Sequence, residues 1–334
     1  MSVLNQILKL EAEVAKDVVG QENIIRNIII CLLCDSNLLL EGMPGLAKTR
    51  SVKSLANNLQ GQFSRIQFTP DLLPADITGS EVYVSDAKTS DEMFQFRQGP
   101  IFGNLVLVDE INRAPPKVQS ALLEAMEERQ ITVSGKSYLL PKLFLTMATQ
   151  NPVEQEGTYS LPEAQLDRFL MKIQVDYPKK SSEKDIMRLV RRERIAKYAI
   201  NVDARSDVVG EQVQQCTQET IFAAWNEISH VHSGDAIEDY IVSIVDVTRN
   251  PADYDPELAQ WLGAGASPRA TLGIDSASRA NAWLDGRNYV TPTDVHAIIY
   301  NVLRHRLVLS FKAASKGIRV NDVIDRILSL VTPG

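Results

Sequence analysis

The residues Leu38-Leu39-Leu40-Glu41-Gly42-Met43-Pro44-Gly45-Leu46-Ala47-Lys48-Thr49 hold the strongest chemical signal in this sequence. An apolar run ends in a Gly-rich turn, the turn ends in Lys-Thr, and an amphipathic pattern at Val52, Leu55, Ala56 and Leu59 follows. Strand, loop and helix in that order are the context of a phosphate-binding loop. In such a loop backbone N–H groups converge on phosphate oxygens at a helix N-terminus, whose dipole favours negative charge. Gly42 and Gly45 let the backbone come close, with Pro44, Leu46 and Ala47 completing the loop. Lys48 would then reach the β- and γ-phosphates and the Thr49 hydroxyl would ligate Mg²⁺. Ala47 stands where the general pattern has Gly; it is small, but takes positive φ only at a cost. The competing reading is a Gly-Pro turn that merely joins a strand to a helix.

Leu105-Val106-Leu107-Val108-Asp109-Glu110 is a short apolar run ending in two acids, as a central strand of a parallel sheet would read. At the end of that strand Asp109 can hold the Mg²⁺ shell, and Glu110 is placed to orient or activate water. Taken alone this is also how a strand entering a solvated acidic turn looks. The two motifs together imply a nucleoside triphosphate such as ATP, Mg²⁺ and hydrolysis.

These residues need a scaffold, and the chain is long enough for two domains: 334 residues, 44% hydrophobic and 23% charged. No apolar run approaches the ~20 residues of a membrane helix. Met1–Lys16 alternates apolar positions (Leu4, Ile7, Leu8) with acids and reads as a surface helix, not a signal peptide, so the chain reads as cytoplasmic. Cys31 and Cys34 form a lone C-x-x-C within an apolar helical run and read as buried small hydrophobes, with no metal site. The net charge of −7 disfavours nucleic acid as a partner, and the Arg-rich run Arg188–Arg194 fits a solvated helix face.

Residues 1–178 alternate strand and helix signals. Strands are expected at Asn37–Glu41, Phe63–Thr69, Leu105–Asp109, Leu143–Thr149 and Phe169–Asp176, with a helix over Lys117–Arg129. Five short apolar strands between helices imply a parallel sheet covered on both faces, whose ligands bind beyond the carboxyl ends of the strands. Two hairpins interrupt the pattern, at about 81–97 and 130–140, the second around Ser134-Gly135. From 179 to 334 strand signals vanish. Helices are expected at Glu183–Lys197, Glu211–His232, Ala236–Thr248, Pro268–Leu284, Pro292–Leu309 and Asn321–Val331, with the polar tract Val202–Gly210 as a loop. Ser267-Pro268 and Thr291-Pro292 each set an N-cap residue before a Pro at the first helical position. The expected architecture is an α/β nucleotide domain, 1–178, followed by an all-helical domain, 179–334.

At this point the residues resemble the MoxR branch of the AAA+ ATPases. The matching segments are Gly42–Thr49, Gln98–Phe102, Asp109–Lys117, Ala121–Glu128 and Ala148–Pro152. The run Gly157–Phe169 is the most family-specific, and Gly265–Arg269 closes the set. Ala47 is usual in this branch. The resemblance implies a P-loop αβα sandwich with a helical lid. It further implies that Asn151 is a first sensor holding the attacking water with Glu110, and that Arg168 is an arginine finger supplied to a neighbouring copy. Such a finger contributes roughly 10³–10⁵ in rate. By the same resemblance Arg269 is a second sensor reaching the γ-phosphate from the lid, and Val19-Gly20-Gln21 lines the adenine pocket.

A finger acting in trans implies a ring of identical copies, usually a hexamer in AAA+ relatives. The resemblance also implies a chaperone-like role on protein clients, with partners that often carry a von Willebrand factor A-type domain, and hairpins that touch substrate. Two other readings stay open on the sequence. One is a motor subunit of a magnesium-chelatase-like or nucleic-acid-translocating assembly; the other is a scaffold that binds ATP with little turnover. The intact set Lys48, Thr49, Asp109, Glu110, Asn151, Arg168 and Arg269 argues against the scaffold.

Overall fold

The computed structural model describes residues 1–43, 48–83, 94–152, 157–202 and 215–333. The chain opens with α1 (Val3–Asp17) and α2 (Glu22–Leu33), then β1 (Leu38–Gly42), α3 (Lys48–Asn58), β2 (Phe63–Gln67) and a short α4 (Pro74–Thr78). A ribbon of β3 (Gly79–Tyr83) and β4 (Phe94–Gln98) precedes β5 (Leu105–Asp109) and α5 (Pro116–Glu128). A second ribbon, β6 (Gln130–Val133) and β7 (Lys136–Leu139), leads to β8 (Leu145–Gln150), α6 (Glu163–Leu166) and β9 (Met171–Val175).

Five strands form one parallel sheet in the order β2-β5-β8-β1-β9, so β5 and β8 lie between the phosphate-loop strand and β2. Side chains alternate across it. Leu38, Leu40, Leu105, Leu107 and Met147 join the core under α1, α2 and α3. Leu39, Val106, Val108 and Ala148 join a second core under α5, with Val118, Leu122 and Leu123. Because both faces are covered, β5 is buried throughout, which is why it reads as an unbroken apolar run until Asp109.

Both hairpins expected from the sequence are present, although the tip of the first, 84–93, lies outside the described residues. The second turns on Ser134 and Gly135, both at positive φ, the geometry a two-residue hairpin loop requires. Phe96 of β4 stacks on Tyr138 of β7 with ring centroids 4.0 Å apart, so the two ribbons lean on one another.

The second half is helical: α7 (Lys180–Val202), α8 (Gln218–Ser229), α9 (Asp235–Arg249), α10 (Pro251–Tyr254), α11 (Leu258–Trp261), then α12 (Pro268–Leu284) and α13 (Pro292–Leu303). It closes with α14 (Phe311–Ser315) and α15 (Val320–Leu330). The start of α12 is capped by the Ser267 hydroxyl accepting from the Arg269 N–H, and that of α13 by a Thr291/Asp294 capping box. The helix expected to run to Leu309 stops at Leu303. Val308–Leu309 instead forms β11, paired antiparallel with β10 (Leu262–Ala264), because Ser310 caps a new helix immediately after. This ribbon is a small departure from an all-helical domain. The helix expected from Glu211 begins at Gln218, where Thr217 caps it. Most of the expected loop Val202–Gly210 lies outside the described residues. Cys31 is buried on α2 and Cys34 is its C-cap; burial pushes the Cys34 thiol up to about 12, as fits a structural thiol. No described helix is long and apolar enough to cross a membrane.

The two halves are joined by a polar clasp just after α13. The buried Arg306 donates from Nε to Asp167 Oδ1 at 2.8 Å, and from its two Nη atoms to the carbonyls of Leu170 at 2.9 Å and Phe169 at 2.8 Å. Ser267 donates to Asp167 Oδ2 at 2.7 Å. His305 adds an Nε2 donation to the Phe169 carbonyl at 2.9 Å, and burial holds its pKa well below the usual range, so the ring is neutral. Removing one partner of a buried pair leaves the other charge uncompensated, at about 3–5 kcal/mol. Arg306→Met is therefore expected to lose about 3–5 kcal/mol in denaturant unfolding; a loss within experimental error would show that the clasp contributes nothing.

Candidate active site

Strand order brings the chemistry together. The carboxyl ends of β1, β5 and β8 are neighbours, so Lys48 just beyond β1, Asp109 and Glu110 at the end of β5, and Asn151 just beyond β8 converge. Lys48 Nζ donates to the Gly42 carbonyl and to the Gln150 carbonyl at 3.3 Å. Thr49 lies in the first turn of α3. Pro44, Gly45, Leu46 and Ala47 lie outside the described residues. Gly42 is required by packing: a Cβ there would come 2.5 Å from the Val175 carbonyl oxygen on β9.

Asp109 is buried, and its carboxylate is held from both flanking strands. Arg65 of β2 donates from Nε to Oδ2 at 2.7 Å, and the Thr149 hydroxyl of β8 donates to Oδ1 at 3.3 Å. Glu110 adopts a left-handed backbone, φ 58°, which ends the strand and turns its side chain out of the sheet. For a residue other than Gly that conformation costs about 1–3 kcal/mol and is typical of functional positions. The Glu110 carboxylate accepts from Gln67 at 2.8 Å and Arg113 at 3.0 Å, and its N–H donates to Thr149 Oγ1 at 3.0 Å. Asn151, just beyond β8, is buried.

A cavity of about 340 Å³ opens beside the first turn of α3. Its walls are mostly apolar, from Val18, Val19, Pro178, Ile186, Met187 and Leu189, and Asp17, Gln21, Arg50 and Glu183 complete the lining. Gly20 sits at φ +78°, and a Cβ there would lie 2.6 Å from Ser182 on α7. Gly20 thus lets α7 close against the segment that precedes α2.

Arg168 and Arg269 do not join the acids of β5. Among the described residues their ion-pair partners are Glu127, at the end of α5, and Asp167. Arg168 Nε lies 2.5 Å from Glu127 Oε2, Arg269 pairs with Glu127 Oε1, and Arg269 Nη1 lies 3.8 Å from Asp167. One carboxylate therefore holds both arginines, one from each half of the chain.

Sequence reasoning missed Arg65, Gln67, Thr149 and Glu127. Arg65 and Gln67 alternate along β2, which signals one polar face, but only the β2-β5 pairing aims that face at the acids. Glu127 lies in a helix with another acid beside it, so sequence spacing alone could not single it out.

A family model described as "ATPase family associated with various cellular activities (AAA)" matches residues 37–171, and an AAA lid domain model matches residues 259–327. The chain is 44% identical to Chaperone MoxR1 of Mycobacterium tuberculosis, over 96% of this chain and 80% of that protein. It is 33% identical to Protein MoxR of Paracoccus denitrificans, over 90% of this chain and 88% of that one. The crystal structure of a candidate ATPase from Cytophaga hutchinsonii superposes with a TM-score of 0.86 at 41% identity, covering 99% of this chain and 96% of the other.

The Gly20 geometry gives a direct test. Gly20→Ala puts an L side chain at positive φ, costing about 1–3 kcal/mol, and pushes Ser182 and α7 away from the cavity. The expected result is a lower unfolding midpoint together with weaker binding of a fluorescent nucleotide. Unchanged binding would separate Gly20 from the cavity.

Proposed function

The chain belongs to the MoxR family of AAA ATPases, and we propose that it acts as a ring of identical copies that couples Mg²⁺-dependent ATP hydrolysis to the remodelling of protein clients. The observation that carries this reading is the convergence of Lys48, Asp109, Glu110 and Asn151 at adjacent strand ends, beside an apolar cavity fit for a base. The donor chemistry suits the nucleotide and its metal. The Thr49 hydroxyl and the Asp109 carboxylate are hard oxygen ligands of the kind Mg²⁺ takes. Bound Mg²⁺ would neutralise charge developing on the β- and γ-oxygens.

In this reading each residue has one task. The loop from Gly42 to Thr49 wraps the phosphates with backbone N–H groups, and Lys48 Nζ carries positive charge to the β/γ bridge. Glu110 orients the attacking water and takes its proton, and Asn151 holds the same water through a neutral amide. Arg269 reaches the γ-phosphate from the lid. Arg168 leaves Glu127 to enter the site of a neighbouring copy, where its fork stabilises charge on the transferred phosphoryl group. The site is then complete only at an interface, which makes the ring, a hexamer by family habit, part of the chemistry. The chaperone name of a relative supports protein clients, and von Willebrand factor A-type domains are the partner class that the family resemblance implies.

Glu110→Gln keeps the shape and the Gln67 contact but removes the base. Turnover is expected to fall by about 10²–10⁴-fold while ATP affinity, measured by calorimetry, stays within a few-fold of wild type. Turnover near the wild-type rate would refute the water-activating role.

A further inference from the structure

Two arginines assigned to phosphate chemistry share one counter-ion. Glu127 lies in the last turn of α5; Arg168 Nε is 2.5 Å from its Oε2, and Arg269 pairs with its Oε1. Asp167 stands beside this group, 3.8 Å from Arg269 Nη1, but is already taken by Arg306 Nε at 2.8 Å and by the Ser267 hydroxyl at 2.7 Å. Three guanidiniums therefore face two carboxylates, an excess of one positive charge. Burial lowers the basicity of Arg306, Asp167 offsets part of that, and the charge of Arg269 lowers it again, so the cations of this cluster repel one another.

Only Arg306 is fixed in place, since it is buried and also donates to the Leu170 and Phe169 carbonyls. Arg168, Arg269 and Glu127 are all part-exposed, so their pairs open at little cost. We propose that Glu127 releases Arg168 and Arg269 one at a time, and so makes the occupancy of one nucleotide site felt at the next; this rests on the ring reading above. Once one arginine leaves, the remaining charges balance. The arginine left behind then has both Glu127 oxygens to itself, open to the bidentate fork that a guanidinium prefers. Releasing the second as well would leave Glu127 without a cation among the described residues. ATP in one site draws Arg269 to its own γ-phosphate, and Glu127 then tightens on Arg168 and withholds it from the neighbouring copy. Linkage makes the effect reciprocal: an Arg168 engaged next door leaves Arg269 held, and its own site binds ATP more weakly. Glu127 itself touches no nucleotide; it is a positioning residue that acts through the two arginines.

The test is calorimetric ATP binding to the assembled full chain carrying Glu110→Gln, so that turnover does not blur the isotherm. Later sites are expected to bind ATP about 2–5-fold more weakly than the first, the range that one part-exposed ion pair supplies. ADP has no γ-phosphate to draw Arg269, and is expected to fill the sites with a single affinity. Adding Glu127→Gln keeps the side-chain shape and removes the charge. That second change is expected to merge the ATP affinities into one and to leave the ADP affinity within about twofold. A single ATP affinity in the Glu110→Gln assembly would overturn the proposal. So would a spread that survives Glu127→Gln, or one that appears equally with ADP. Protein that binds no ATP, or does not assemble, would overturn the ring ATPase reading itself, and the proposal with it.

Discussion

A carboxylate buried at the end of an apolar sheet has to be paired, and Asp109 imposes that requirement on everything around it. Leaving an ionised group without partners in such a place costs far more than a domain's net stability. The answer here is built from strand order. β2 supplies Arg65 and β8 supplies Thr149, and both can reach Asp109 only because β5 lies between them. The same arrangement leaves Gln67 and Arg113 to hold Glu110, and the Thr149 hydroxyl to take the Glu110 N–H. The two acids are thus fixed within one polar network whose frame is the hydrophobic sheet, a rigid mount of the kind that phosphoryl transfer by positioning needs.

A second carboxylate cluster governs how the two halves meet. Asp167 takes Ser267 and Arg306 from the helical half, while Glu127 takes Arg168 and Arg269. The Arg306 end is buried and carries the backbone of Phe169 and Leu170 as well, so it serves as a fixed joint. The Glu127 end is half-exposed, and solvent screening makes its ion pairs cheap to break. The division suits the proposed cycle, in which Arg168 and Arg269 would leave Glu127 while the buried Arg306 joint keeps the helical half attached.

Much of this was legible beforehand because it rests on local pattern. The apolar runs ending at Gly42 and at Asp109-Glu110 mark strands that are buried on both faces, and the Ser267-Pro268 and Thr291-Pro292 starts mark α12 and α13 to the residue. What escaped is non-local. Arg65 and Gln67 matter through a register with β5 that no local pattern reports, and Glu127 matters through two arginines far along the chain. The end of α13 is not legible because Leu307, Val308 and Leu309, a short apolar run after Arg304-His305-Arg306, suit a helix or a strand equally, and pairing with β10 decides it. The resemblance to a known family named roles for Asn151, Arg168 and Arg269 that bottom-up reading of isolated residues could not.

The central claim is that one copy's Lys48 and another copy's Arg168 serve the same phosphate. The most direct measurement mixes Arg168→Ala protein with Lys48→Ala protein, each inactive alone, and follows ATP hydrolysis while sedimentation reports co-assembly. The account predicts that activity returns in the mixture, at interfaces where an intact phosphate loop meets an intact Arg168. Mixed assemblies that form and stay inactive would contradict it.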